Sequence, residues 1–250
     1  MQAAIVLAER GFRPILFERR AYLGGSAVLA SKAPCKGLVA EYIETQKNQL
    51  AALGVQVELN HAPTMAELRR LDPYGIFVTM GGQQIVPDIP GIDRENVFGI
   101  EDILLGRRVI EGRKVAVIGG GHVGLEVAHF LCANNKVTIV EMADEIGASV
   151  YYITKFKLLP LLREAGVTFR TGQAIAAVDD GSIRLRDTHT GQCTELKAEA
   201  VVLAMASRPD LAARAAFDRN FDHVVYAGDA VRGGTMLEAN RDAFALAWEF

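Results

Sequence analysis

Lys114-Val115-Ala116-Val117-Ile118-Gly119-Gly120-Gly121-His122-Val123-Gly124-Leu125-Glu126-Val127-Ala128 reads as a strand, a tight turn and a helix. Four apolar residues lead into Gly119, Gly121 and Gly124, and an apolar helical pattern follows at once. This is the G-x-G-x-x-G pattern in the setting that gives it meaning. Gly119 permits the turn, Gly121 lets backbone approach a diphosphate, and Gly124 lets the helix pack closely on the strand. The diphosphate then meets free N–H groups at the positive end of the helix. A second apolar strand, Lys136 to Val140, ends at Glu141, 17 residues after Gly124 and 22 after Gly119. A carboxylate at that interval accepts hydrogen bonds from a ribose 2′-hydroxyl and repels a 2′-phosphate. The next residue is Met142, not an arginine, so the pattern reads as NADH over NADPH.

Upstream the same order appears again. Ala3 to Arg10 reads as a helix ended by Gly11, and Arg13-Pro14-Ile15-Leu16-Phe17 as a strand ending in Glu18. Glu18 therefore matches the ribose-binding carboxylate of another βαβ unit. Counting back 17 residues from it reaches position 1, where the third glycine of such a unit belongs. Its strand and its other two glycines are not in the sequence. A first strand of this kind is normally covered on both faces, and losing it costs on the order of several kcal/mol. The expectation is an N-terminally truncated chain, with Met1 an internal methionine or the cut end of a gene fragment. After Glu18, Leu23-Gly24-Gly25 allows close approach to a diphosphate or a flanking ring, or forms a plain surface turn. Near the far end, His223 to Ala227 reads as a strand running into Gly228-Asp229, with a helix from about Thr235. Asp229 suits a ribityl hydroxyl at a strand end, or a turn cap.

Bulk properties exclude several classes. The 250 residues are half hydrophobic and 23% charged, with net charge −3. That gives no basic field for nucleic acid or a membrane surface, and the longest apolar runs are too short to span a bilayer. No positively charged leader opens the sequence, and a cytoplasmic protein is expected. Cys35, Cys132 and Cys193 form no C-x-x-C or zinc spacing and read as reduced structural thiols. His61, His122, His129, His189 and His223 show no metal-ligand spacing, and no G-x-S-x-G appears. His122 falls at a variable position of the glycine pattern, where backbone does the binding. Val150 to Ala165 reads as a helix interrupted by Pro160, and strands are expected around 167–170, 183–186 and 200–205.

Taken together, these motifs resemble the pyridine nucleotide-disulphide oxidoreductase superfamily. The likeness extends to the C-terminal module of old-yellow-enzyme-like 2,4-dienoyl-CoA reductases and NADH:flavin oxidoreductases. Its carriers are Phe17-Glu18-Arg19-Arg20, Leu23-Gly24-Gly25, Val78-Thr79-Met80-Gly81-Gly82, Pro87-Asp88-Ile89-Pro90-Gly91, the glycine pattern at 119–124 and Tyr226-Ala227-Gly228-Asp229-Ala230. The resemblance implies an α/β fold of two Rossmann-like domains, the NAD domain (106–206) inserted into a FAD domain (1–105 and 207–250) whose first strand is missing. It implies that Glu18 and Arg19 bind the adenosine ribose of FAD, that Gly24 and Gly25 line its diphosphate, and that Gly228 and Asp229 hold the ribityl–phosphate region. Gly81 is counted with them. Gly119, Gly121, Gly124 and Glu141 would bind NADH. Glu126 would lie near the nicotinamide carboxamide, or be an exposed helical glutamate. Pro87 to Gly91 would link the domains, stiffened by proline.

The departures carry weight too. Disulphide reductases place two cysteines after the glycine pair, whereas Cys35 stands alone, so a dithiol relay is ruled out. The FMN barrel and the cysteines of an iron–sulphur cluster, expected in the missing N-terminal part, are not in this sequence. The implied function is hydride transfer from NADH to FAD, with no side chain needed as acid or base. Electrons would continue to that barrel, or to a separate acceptor, and reduce an enoate or dienoyl-CoA type C=C bond. Two alternatives stand beside it: a ferredoxin- or quinone-type reductase, and a non-catalytic NADH-binding remnant.

Overall fold

A computed structural model describes residues 1–250. The chain begins with α1 (Gln2–Glu9), β1 (Ile15–Glu18), α2 (Ser26–Lys32), α3 (Gly37–Ala52) and β2 (Gln56–Leu59). Next come α4 (Met65–Leu71), β3 (Ile76–Val78), β4 (Gln83–Gln84), β5 (Val97–Gly99) and α5 (Ile100–Leu104). The middle holds β6 (Lys114–Ile118), α6 (His122–Leu131), β7 (Lys136–Val140), α7 (Tyr152–Glu164) and β8 (Thr168–Arg170). Then follow β9 (Gln173–Val178), β10 (Ser182–Asp187), β11 (Cys193–Lys197), β12 (Ala200–Leu203) and β13 (Ser207–Arg208). The chain closes with α8 (Leu211–Asn220), β14 (Val224–Tyr226) and α9 (Met236–Glu249). These elements form two compact units. One holds Met1–Val28, Gly37–Gln84 and Ser207–Phe250; the other holds Leu29–Lys36 and Ile85–Ala206.

The second unit is built on a five-stranded parallel sheet in the order β5-β12-β6-β7-β8. Its central strands are apolar on both sides because both sides are covered. On one face Val115, Val117, Ile139 and Val202 pack with Leu125 of α6 and Leu162 of α7. Leu29 of α2 joins that same core. On the other face Ala116, Ile118, Val140 and Val201 pack with Ile183 and Leu185, from the antiparallel sheet β11-β10-β9. The 87–91 segment is fastened to this second sheet. Pro90 O accepts the Val178 N–H at 2.9 Å, and a Cβ on Gly91 would sit 1.9 Å from Val178 O.

Pro160 does not interrupt its helix: α7 runs unbroken through it. A proline inside a helix frees the carbonyl four residues before it. Here that residue is Phe156, which is 68% exposed, so the break in the hydrogen-bond ladder falls on a part of the helix that meets solvent.

The first unit has a different organisation. Its parallel strands form two separate pairs, β1–β2 and β3–β14, with no strand hydrogen-bonded to both. Helix α1 bridges them through its side chains. Ile5 packs with Leu50 and with Leu16 and Val57 of the first pair. Ala3, Val6 and Leu7 pack with Phe77, Ala227 and α9 residues Ala243 and Ala247. That is why so short a helix carries six successive apolar residues, Ala3 to Ala8, between Gln2 and Glu9. Thr64 and Thr235 start α4 and α9 with reciprocal capping boxes. The architecture is α/β, with parallel strands and Rossmann-like β–α–β connections.

The tightest approach in the second unit is between α6 and the turn before it. A Cβ on Gly124 would lie 1.8 Å from Gly119 O, a separation no side chain can adopt. Gly124→Ala is therefore expected to cost more than about 3 kcal/mol, read as a large drop in thermal or urea midpoint.

Candidate functional site

The turn between β6 and α6 is shaped by backbone alone. Gly119 has φ +111°, and a Cβ there would meet Ala204 O at 2.5 Å. Gly121, by contrast, has no atom within 4 Å of where its Cβ would stand. The loop is thus closed beneath and open above. Gly121 is the N-cap of α6, and no side chain caps that end. Open space above a glycine, beside uncapped helix N–H groups, fits a dinucleotide diphosphate.

Glu141 follows β7 beside this loop. Its Oε2 accepts the Gly120 N–H at 2.6 Å and its Oε1 accepts the Ala143 N–H at 2.8 Å. The carboxylate is thereby fixed in position and keeps lone pairs for a ribose hydroxyl. The loop beyond it is tied down by Asp144, whose Oδ1 lies 2.6 Å from His189 Nε2.

One turn into α6, Glu126 is only 8% exposed, so it is not an exposed helical glutamate. Its Oε1 lies 2.9 Å from His122 Nε2 and 2.5 Å from Lys36 Nζ. Burial pushes the carboxyl up, but hydrogen bonds from His122 and Lys36, with their charges, outweigh it and hold the group below its ordinary value. Lys36 was not legible in the sequence. It sits in the link between α2 and α3, and only the packing of residues 29–36 onto the second unit brings it to Glu126.

The remaining candidates lie in the first unit. Glu18 ends β1; its Oε1 accepts the Arg20 N–H at 2.9 Å, and its charge acts on the Met1 amino group at the start of α1. Arg19 is exposed beside it. Gly24 and Gly25 follow, and Gly25 is open where a Cβ would stand. The Tyr22 hydroxyl in this turn is buried without a partner. An orphaned polar atom and an open glycine next to a strand-end carboxylate fit a second nucleotide group. Gly81, Gly228 and Asp229 gather around β13. Ser207 Oγ donates to Asp229 Oδ2 at 3.3 Å, and Gly234 N–H donates to Oδ1 at 3.2 Å. Asp229 thus braces its own loop. Gly82, after Gly81, lies where a Cβ would be 2.9 Å from Arg208 O.

Residues 1–222 match the family described as pyridine nucleotide-disulphide oxidoreductase. The chain belongs to that family. It is 31% identical over 255 residues to an NADH oxidase from Thermoanaerobacter brockii, covering 100% of this chain and 39% of that protein. A bilirubin reductase from Mediterraneibacter gnavus (strain CC55_001C) is 29% identical over 230 residues, covering 92% of this chain and 35% of the relative. The solved 2-naphthoyl-CoA reductase in complex with 2-naphthoyl-CoA superposes with TM-score 0.90 at 26% identity, over 100% of this chain and 38% of that one. The chain spans under two fifths of the length of both relatives. No helix is long and apolar enough to cross a membrane.

The Glu126 arrangement makes stability depend on acid. A carboxyl held below its ordinary 4.5 contributes stability above that pH, and the contribution is lost as pH falls through the lowered value. Thermal midpoints measured below about pH 4.5 should fall for this protein more steeply than for Glu126→Gln. In Lys36→Met, burial is opposed by His122 alone, and an NMR titration should find the Glu126 carboxyl raised.

Proposed function

We propose that this chain is the FAD- and NADH-binding part of a flavin-dependent oxidoreductase, with FAD held by residues 1–105 and 207–250 and NADH by residues 106–206. The observation that carries the reading is the 119–124 loop. It is closed at Gly119 and Gly124, open at Gly121, and flanked by the fixed carboxylate of Glu141. When bound, the cofactors supply the redox chemistry, a nicotinamide hydride passing to the flavin. The chain's own task is positioning. Gly119, Gly121 and Gly124 seat the diphosphate, and Glu141 takes the ribose hydroxyls and rejects a 2′-phosphate. Glu126, steadied by Lys36 and His122, faces the nicotinamide amide. Glu18, Arg19, Gly24, Gly25, Gly81, Gly228 and Asp229 line the flavin nucleotide.

The electrons would pass to an acceptor outside these residues: an FMN and iron–sulphur barrel of the same protein, or a separate partner. Reduction of a conjugated C=C bond, as in an enoate or a dienoyl-CoA thioester, is supported by the likeness to 2-naphthoyl-CoA reductase. A further parallel strand joining β1 to β14 would complete the FAD domain, a reading supported by the two separate strand pairs. The three free thiols, Cys35, Cys132 and Cys193, are in keeping with a cytoplasmic setting.

The test is the absorption spectrum of the purified chain after incubation with FAD, followed by anaerobic NADH. Retained flavin that bleaches is expected, with NADPH at least about tenfold less effective (about 1.4 kcal/mol). A folded chain that binds NADH and takes up no flavin would overturn the flavin reading in favour of a binding module. Gly121→Ala has room for its methyl group. It should keep its melting midpoint to within about 1 kcal/mol of stability while losing NADH binding by fluorescence titration.

A further inference from the structure

The second unit carries an open groove of about 530 Å³ at the N-terminal ends of β6, β7 and β8, the opposite strand ends from Gly119 and Glu141. Lys114 and Lys136, the first residues of β6 and β7, are direct register partners. Residues two apart on a strand share a face. Ala116 and Val140 face the antiparallel sheet, so Lys114, Lys136 and Thr138 face that side as well. Thr168, between Val167 and Phe169 on the helical side, joins them. Lys197, at the end of β11, lines the same groove.

Neighbouring like charges weaken a sheet unless something neutralises them. No aspartate or glutamate lines the groove. Lys136 and Lys197 have no ion-pair partner. Lys114 acts on Glu199, but that carboxylate is already held by Arg113 at 3.2 Å and by the Lys114 backbone N–H at 3.0 Å. Three lysines, Lys114, Lys136 and Lys197, therefore line one concave space together with Leu196 and the hydroxyl-bearing Thr138 and Thr168. Lysine ammoniums act as compact point charges suited to phosphate oxygens. The volume is that of a small-ligand site.

We propose that this groove binds the phosphate group of a small phosphorylated molecule, at a site separate from the glycine loop. The probe is inorganic pyrophosphate, titrated calorimetrically into the full chain, into the double variant Lys136→Gln/Lys197→Gln, and into Lys157→Gln as a charge control on exposed α7 surface. The glycine loop also suits a diphosphate, so the chain should show two binding events. The double variant should lose one of them, at least about tenfold in affinity, and Lys157→Gln should keep both. In phosphate-free buffer Lys136→Gln should also melt higher, because the in-register repulsion is gone. An unchanged isotherm in the double variant overturns the proposal, as does an equal loss in Lys157→Gln; a single event that the double variant loses still supports the groove.

Discussion

The carbonyl oxygen of Gly119 occupies the space where a side chain at position 124 would begin. Helix α6 can therefore lie against the end of β6 only because position 124 lacks a Cβ, and the absence of one at Gly119 lets the turn rest on Ala204 in the same way. Ala204, after β12, lies beneath this turn, and its carbonyl leaves no room for a Cβ on Gly119. The first turn of α6 is left aimed across Gly121 with no side chain competing for its N–H groups. Glu126 is carried inward by the same approach, into a place where a carboxylate needs donors to stay charged.

Those donors arrive from two distances along the chain. His122 is a turn away on the same helix, whereas Lys36 comes from a segment ninety residues earlier. A buried carboxylate served by two donors is oriented as well as neutralised. Glu141 illustrates another form of economy. Its two oxygens secure the Gly120 and Ala143 backbone, so the residue that discriminates a ribose also stiffens the loop that receives the diphosphate.

What could be read from the sequence was what is encoded locally. The order β6, α6, β7 was legible because strand period, glycine spacing and terminal carboxylate fall within thirty residues. The chain order of α1, β1, β14 and α9 was legible for the same reason, with termini within a residue or two of the pattern. Strands β9 and β11 were not. β11, Cys-Thr-Glu-Leu-Lys, is polar and mostly exposed, and its partner strand rather than its own pattern makes it a strand. Pro160 misled because its cost depends on whether the freed carbonyl reaches water, a tertiary property. Lys36 gave no local sign: a lysine after a cysteine in a loop acquires meaning only from what it meets.

Helix α1 holds one further consequence. Its eight residues tie together two strand pairs that share no hydrogen bond, and Val6, 1% exposed, is among the most deeply set. Cooperative unfolding needs a continuous set of packed groups. In this unit continuity passes through that one helix, so weakening it would divide a single melting transition into two, each pair opening at its own temperature.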